Sequence, residues 1–188
     1  YNALQIQDII RERSKIAFDN GLIREGVIEK CAAYAAREHG DARRALELLR
    51  VAGEISERND KHSIELEDID KAEEKIEKDK VLDLVYTQPK QFQLTLLSIL
   101  DISESSDDNP IFTGDIYEIY KNYCKSVALK PLTQRRVSDI IAELDMSGII
   151  NARVVSKGRY GRTREIRMGI PPSTIQNIKE MLKEGLNL

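Results

Sequence analysis

Residues 133–170 read TQRRVSDIIAELDMSGIINARVVSKGRYGRTREIRMGI, and the hydrophobic period changes once within this segment. Up to Met146, apolar residues recur every three or four positions, which is the spacing of one face of an α-helix. After Gly148, residues 149–155 and 163–170 are rich in β-branched residues, which predicts two strands. The intervening SKGRYGR holds two glycines, as suits a hairpin loop. The segment therefore predicts a helix followed by a β-hairpin.

Further helices are predicted on both sides of this segment. Apolar residues repeat with a helical period over 91–102, and again after Thr113, a residue type that can act as an N-cap. The polar and acidic stretch 103–110 separates these two helices as a loop. Pro171 and Pro172 open a last helix, because proline is tolerated in the first helical turn. Three helices followed by a two-stranded hairpin, or wing, form a winged-helix domain.

The helix that starts at Thr133 has the position of the recognition helix in this topology. A helix of this size fits the major groove of DNA, where arginine can pair with guanine and glutamine with adenine. The residues predicted to bind DNA from this helix are Thr133, Gln134, Arg135, Arg136 and Ser138. The orientation of Arg136 is open, because it directly precedes Val137 and could flank the core.

The hairpin carries the most polarised charge in the chain. The whole chain has a net charge of −3, but residues 153–167 hold six basic residues against one acid, Glu165, a local net charge of +5. Arginines at such a tip can bind phosphates through charge-assisted hydrogen bonds. The predicted DNA contacts of the wing are Lys157, Gly158, Arg159, Tyr160, Arg162 and Arg164. Two alternatives stay open, because many winged helices bind protein and a basic hairpin can be a solvated turn.

The first half of the chain has the pattern of four helices with short loops, which is typical of a compact bundle. Asn2 and Asp41 are suitable N-caps for the first and third of these helices. Pro89 then breaks the helical pattern, because proline cannot continue the hydrogen-bond ladder. We therefore predict a mainly α protein with two separable domains, residues 1–87 and residues 88–188.

Composition argues against several other classes of protein. The two cysteines, Cys31 and Cys124, lie far apart in apolar-periodic stretches, which predicts reduced, buried thiols in a cytoplasmic protein. His39 and His62 have no partner at metal-ligand spacing, so no metal site is predicted. No apolar run approaches the roughly 20 residues of a membrane span, so we expect no membrane partner.

Two stretches of the first half resemble a known family. Residues 1–10, YNALQIQDII, and residues 38–54, EHGDARRALELLRVAGE, closely resemble the archaeal origin-recognition and cell-division-cycle replication initiators, AAA+ ATPases related to subunits of the eukaryotic origin recognition complex. The resemblance covers the whole chain, because that family continues from an AAA+ lid into a winged helix. It implies a four-helix lid over residues 1–87 and a DNA-binding winged helix over residues 88–188. It also implies a nucleoid-associated protein with double-stranded origin DNA as partner.

The resemblance assigns a role to Arg43. In this family the arginine of Gly-Asp-x-Arg is the sensor-2 residue, which contacts the γ-phosphate of ATP held by the neighbouring domain. The start of a helix adds a positive backbone dipole at such a site. Without the resemblance, Arg43 and Arg44 would be interpreted as exposed decoration of a helix surface.

The chain also departs from the family. It contains no Gly-x-x-x-x-Gly-Lys-Ser/Thr and no acidic motif after an apolar strand that would hold Mg²⁺. We therefore expect a C-terminal fragment that lacks the ATPase core, has no catalytic residues and no cofactor of its own, and does not hydrolyse ATP. In the full-length protein the resemblance implies ATP or ADP with Mg²⁺.

The sequence is compatible with two functional classes. The first is binding of origin DNA by the winged helix, with the lid as the part that responds to nucleotide. The second is a protein-interaction module that docks a replicative helicase or another initiator subunit. The basic wing favours the first class.

Overall fold

The structure is a computed structural model, which describes residues 1–105, 110–156, 158 and 162–188. It is mainly helical, as predicted, and it divides into two compact units, Tyr1–Asp79 and Lys80–Leu188. No described helix is both long enough and apolar enough to cross a membrane. The division falls inside a helix that continues to Tyr86, and the domain boundary after residue 87 stays a prediction.

The first unit is built from the four predicted helices. They are α1 (Ala3–Ala17), α2 (Val27–Glu38), α3 (Ala42–Arg58) and α4 (Leu66–Tyr86), the last of which runs beyond the unit. The predicted N-cap Asn2 accepts a hydrogen bond from the backbone N–H of Gln5, whose side chain accepts one from the N–H of Asn2 in return. Asp41 caps α3 by accepting from the N–H of Arg43 at 2.9 Å.

Small and branched apolar residues fill the core of the first unit. Its fully buried members include Ile6, Ile10, Val27, Cys31, Ala45, Leu48, Ala52 and Ile69. Burial raises the pKa of Cys31 to about 12, because the charged thiolate is poorly solvated there. Cys31 and Cys124 are both buried free thiols, as predicted, and Cys31 behaves as a small core residue rather than as a nucleophile.

The second unit contains the predicted helices and hairpin together with a strand that was not predicted. Its elements after α4 are α5 (Lys90–Ser105), β1 (Ile111–Phe112), α6 (Thr113–Ser126), α7 (Gln134–Met146), β2 (Ile150–Ser156), β3 (Arg162–Met168) and α8 (Pro172–Leu186). The three strands form an antiparallel sheet in the order β1-β3-β2. This is the arrangement of a winged helix, with β2 and β3 as the wing.

The extra strand corrects the prediction that Thr113 caps α6. Ile111 pairs with Ile166 of β3, which keeps the chain extended up to Phe112, and Phe112 is therefore the N-cap residue. Thr113 is already the first helical residue, and it lies almost buried. The N-cap of α6 accordingly makes no side-chain hydrogen bond.

The core of the second unit fixes the recognition helix α7 in place. Val137, Ile141 and Leu144 are fully buried on its inner face, at the helical spacing expected from the sequence. Gly148, after which the hydrophobic period of the sequence changes, has a φ of +74°, a left-handed conformation that lets the chain leave α7 and enter β2.

A partly buried ion pair fastens α8 to the rest of the second unit. The side chain of Lys179 is only 13% exposed, and its ammonium lies 2.7 Å from the carboxylate of Asp101 in α5. Glu104 also pairs with Lys179, and the hydroxyl of Tyr123 donates to Asp101. Burial alone would raise the pKa of Asp101, but hydrogen bonds from Lys179 and Tyr123 outweigh it and hold this pKa below its ordinary value.

We expect the substitution Lys179→Met to lower the free energy of unfolding of the second unit by about 1–2 kcal/mol at neutral pH. The folded pKa of Asp101 is depressed, so its contribution is complete above the unfolded pKa of about 3.9 and is lost as pH falls through the folded value. The difference between wild type and variant should therefore shrink below about pH 4. Urea denaturation followed by circular dichroism at pH 7 and pH 3 measures it, and an equal difference at both values would contradict this account.

Candidate nucleic-acid interface

An open groove of about 470 Å³ lies between the start of α7 and the wing. Its lining residues are Thr113, Gln134, Arg135, Ser138, Val154, Arg162, Thr163 and Arg164. Residues of the predicted recognition helix and of the predicted wing thus meet at one surface. The sequence-predicted residues that it brings together are Gln134, Arg135, Ser138, Arg162 and Arg164.

The first turn of α7 presents polar side chains to solvent. Thr133 is the N-cap, and its hydroxyl accepts a hydrogen bond from the N–H of Arg136 at 3.4 Å. Gln134 and Arg135 are exposed and line the groove. The positive end of the helix dipole lies at the same place, so the start of α7 favours an anion such as a phosphate.

Arg136 lies apart from the groove. Its side chain is 71% exposed, and its guanidinium lies 3.4 Å from the carboxylate of Asp139, one turn further along α7. The alternative that Arg136 flanks the core is therefore wrong. It is an exposed residue beside the groove rather than a part of its lining.

The register of the hairpin sorts its basic residues onto two faces. Side chains alternate along a strand, and residues paired across two strands share a face. Arg164 pairs with Val154 and Arg162 with Ser156, and these residues share the face that carries buried Ile166 and looks toward the helices. The pair Arg153 and Glu165 lies on the opposite, outer face.

The single acid of the wing holds two arginines on that outer face. Glu165 accepts hydrogen bonds from Arg153 at 3.0 and 3.1 Å and from Arg167 at 3.4 Å. The hydrogen bond from Arg153, opposed by desolvation, lowers the pKa of Glu165 below its ordinary value. Among the described residues that contribute to the local charge, Arg162 and Arg164 thus lie on the groove side, and Arg153, Glu165 and Arg167 form a partly compensated cluster on the other face.

Arg164 connects the wing directly to the recognition helix. Its Nη1 donates to the backbone carbonyl oxygen of Ser138 at 2.6 Å and to the Ser138 hydroxyl at 2.5 Å. Arg162 is exposed and makes no side-chain hydrogen bond or ion pair with the part of the chain that the structure describes. Two arginines that look equivalent in the sequence therefore have different surroundings.

Sequence reasoning missed three residues of the groove, Thr113, Val154 and Thr163, of which Thr163 directly follows the predicted Arg162 in β3. Val154 is 62% exposed although it is apolar, and its position could have been found from the alternation that places it on the same face as Ala152 and Ile150. Thr113 lies far away in the sequence, and no local signal places it beside α7.

Most of the wing tip falls outside the described residues. Lys157, Arg159 and Tyr160, which were predicted to bind DNA, belong to this part. Gly158 is described as an exposed residue with a φ of +61°. This left-handed conformation favours glycine over other residues at that position of the loop.

The two adjacent arginines of the first unit differ sharply. Arg43 is exposed in the first turn of α3, and its guanidinium makes no hydrogen bond or ion pair with any residue in the described ranges. Arg44 is 7% exposed, and its Nη2 donates to Glu73 at 2.7 Å and to Glu77 at 2.8 Å. The interpretation that both arginines decorate the surface is wrong for Arg44.

Arg44 occupies the centre of a carboxylate cluster. Oxygens of Glu38, Glu73 and Glu77 lie within 4.8 Å of one another, a spacing that could hold a cation. The guanidinium of Arg44 supplies that positive charge, with Nε 3.3 Å from Glu38 and Nη1 3.6 Å from Glu47. This cluster ties the start of α3 to the end of α2 and to α4.

Comparisons with known protein families agree with both units. The family described as "CDC6, C terminal winged helix domain" matches residues 83–178, and "Cdc6 AAA+ ATPase-type lid domain" matches residues 7–74. The ORC1-type DNA replication protein of Thermococcus onnurineus is 52% identical over 178 residues, which are 95% of this chain and 43% of the relative. ORC1-type DNA replication protein 1 of Methanosarcina acetivorans is 48% identical over 189 residues, covering 100% of this chain and 45% of the relative.

A solved structure is similar over nearly the whole chain. The Aeropyrum pernix ORC1 protein in complex with DNA is 46% identical with a TM-score of 0.79, and the match covers 98% of this chain and 47% of that protein. The chain spans less than half the length of each of these three proteins.

Proposed function

Because this chain belongs to the Cdc6/ORC1 family of DNA replication initiators, we propose that its winged helix binds double-stranded origin DNA through the groove between α7 and the wing. The observation that carries this proposal is the meeting of Gln134 and Arg135 with Arg162 at that groove. The similar ORC1 protein of Aeropyrum pernix, 46% identical, is in complex with DNA, which supports the same role here.

The positions of these side chains suggest a division of labour. Gln134 and Arg135 project from the first turn of α7, where side chains of a recognition helix can reach base edges in the major groove. Arg162 belongs to the wing and bears an exposed guanidinium, which suits a phosphate of the flanking backbone. The N-terminal end of α7, which is the positive end of the helix dipole, suits a second phosphate.

For the whole protein, we propose that Arg43 reports the nucleotide state to the lid as the sensor-2 residue. Its exposed guanidinium is free of intramolecular partners among the described residues, while its neighbour Arg44 anchors the same helical turn. ATP or ADP with Mg²⁺ would be held by the ATPase core, and the regions matched in this chain are the lid and the winged helix alone. We therefore assign ATP hydrolysis to the part of the full-length protein outside this chain. The full-length protein is proposed to act on origin DNA in the nucleoid.

A direct test of DNA binding uses Arg162→Ala. A phosphate contact carries no sequence information, so affinity should fall alike on an origin-derived and a scrambled duplex. The slope of log affinity against log salt should become shallower by about one. Fluorescence anisotropy between about 50 and 200 mM salt measures both quantities.

The matched control is Arg167→Ala, because Arg167 lies on the outer face of the same strand and is paired with Glu165. This control should leave the affinity and the salt slope nearly unchanged. If wild type bound neither duplex, or Arg162→Ala behaved like wild type, the groove would not be the DNA site. Docking of a replicative helicase or another initiator subunit would then be the better proposal.

A further inference from the structure

The hydrophobic contact between the wing and the helices ends partway along the hairpin. On the inner face, Ile150 and Ile166 are buried, and Ala152, the partner of Ile166, is partly buried against the same core. The next pair toward the tip is Val154 with Arg164, and Val154 is 62% exposed. Among the described residues, apolar packing against the helices therefore ends before the outer part of β2 and β3.

A polar contact takes over at the point where the apolar packing stops. Near the base of the hairpin, the Asp145 carboxylate at the end of α7 accepts from the N–H of Ala152 at 2.8 Å. Two positions closer to the tip, Arg164 donates to both oxygens of Ser138, in the first half of α7. These two contacts are separated by about two turns of α7, so together they define the angle between helix and wing.

We propose that Arg164 is a positioning residue, which acts through Ser138 to hold the wing at a fixed distance from the recognition helix. The proposal rests on the proposed function, because the fixed distance matters when α7 and the wing contact the same duplex. A two-stranded hairpin alone is only marginally stable in water, so an unanchored wing would have to be ordered at the moment of binding. Pre-ordering by Arg164 removes that cost.

This role differs from the phosphate contact that the sequence suggested for Arg164. Its Nη1 is committed to the Ser138 carbonyl and hydroxyl, and its side chain is partly buried, whereas Arg162 on the same face is exposed. A phosphate contact made by Arg164 would release counterions from the DNA and would contribute to the salt dependence of the binding affinity. A positioning contact changes affinity without changing the number of phosphates that are neutralised.

The test compares Arg164→Met, Ser138→Ala and the double variant with wild type and with Arg162→Ala. Arg164→Met should weaken binding to the origin-derived duplex about tenfold and leave the salt slope unchanged. Ser138→Ala should have a smaller effect, because the carbonyl oxygen still accepts from Arg164. In the Arg164→Met background, Ser138→Ala should add nothing, since the shared contact is already lost.

A second measurement needs no DNA and therefore separates this proposal from the proposed function. Amide hydrogen exchange in the free protein should accelerate in the outer part of β2 and β3 in Arg164→Met, while the amide of buried Ile166, which pairs with Ile111 of β1, keeps its protection. This result supports the proposal even if wild type fails to bind DNA, a failure that would count against the proposed function alone. Unchanged exchange, or a salt slope that falls by about one as in Arg162→Ala, would overturn the positioning role.

Discussion

Replacement of Arg44 by alanine is expected to lower the free energy of unfolding of the first unit by about 3 kcal/mol. The guanidinium is 7% exposed, and three helices contribute carboxylates to it, including Glu73 and Glu77 from α4. Without Arg44, these carboxylates would lose the guanidinium that lies among them, and their mutual repulsion would weaken the contact between α4 and the start of α3. The cost is larger than for a surface ion pair, because the remaining charges are only partly hydrated.

Urea denaturation followed by circular dichroism measures this effect, and the absence of tryptophan makes the helical signal the more suitable probe. Hydrogen exchange of α2 and α3 amides assigns the change to the first unit, whether the two units unfold together or separately. Arg44→Met distinguishes lost charge from lost packing, because methionine retains an apolar stem in place of the guanidinium.

The matched control is Arg43→Ala at the adjacent position. Arg43 is exposed and unpaired within the described residues, so its removal should change the free energy of unfolding by no more than about 0.5 kcal/mol. If Arg43→Ala and Arg44→Ala lowered the free energy of unfolding by similar amounts, the ion pairs of Arg44 with Glu38, Glu73 and Glu77 would not stabilise the first unit specifically. A small loss for Arg44→Ala alone would mean that water and neighbouring cations replace the guanidinium readily.

The sequence predicted the elements of the fold well where neighbouring residues decide the structure. Thr133 caps α7, Gly148 takes the left-handed conformation that ends the helix turn, and Pro172 begins α8. Each of these outcomes depends on the backbone preference of one residue or on a hydrogen bond to a residue within one turn. The β-branched residues of β2 and β3 and the glycines between the two strands are equally local signals, which is why the hairpin was predicted.

The sequence was less informative where a distant partner decides the structure. Strand β1 has only two residues, too few for a visible alternation, and it forms because Ile111 meets Ile166. Arg43 and Arg44 are the same residue type, but Arg43 is exposed and Arg44 is buried. This difference depends on the carboxylates that α4 places beside Arg44. Likewise, Arg162 and Arg164 make different contacts because Ser138 lies within hydrogen-bond distance of Arg164.

The residues around the groove could therefore be predicted as a set, but the different surroundings of each side chain could not. Charge and topology identified the recognition helix and the basic wing, and the structure groups five of the named residues around one groove. Which arginine faces the groove, which pairs with Glu165 and which holds α7 depends on strand register and long-range hydrogen bonds. Among the contacts proposed for these residues, a base contact by Arg135 has the largest expected effect on discrimination between DNA sequences.

Arg135→Ala is expected to reduce affinity for the cognate origin duplex by roughly 1–3 kcal/mol and to affect a scrambled duplex much less. Arg135 is exposed in the first turn of α7 and lines the groove, so its guanidinium can reach a base edge and make a bidentate contact with guanine. Loss of a base contact lowers the discrimination between the two duplexes by roughly 5- to 150-fold, whereas loss of a phosphate contact would lower both affinities together.

The adjacent Arg136 provides the control for this variant, because it has the same charge, lies on the same turn and pairs with Asp139 away from the groove. Arg136→Ala should leave the discrimination almost unchanged. A panel of duplexes with single base-pair changes identifies the position that Arg135 reads. Changing one particular G·C pair should no longer alter the affinity of Arg135→Ala, whereas changes at the other positions should lower it as they do for wild type. If Arg135→Ala instead weakened every duplex by the same factor and made the salt slope shallower by about one, Arg135 would be a backbone contact, and sequence reading would have to reside elsewhere on the domain.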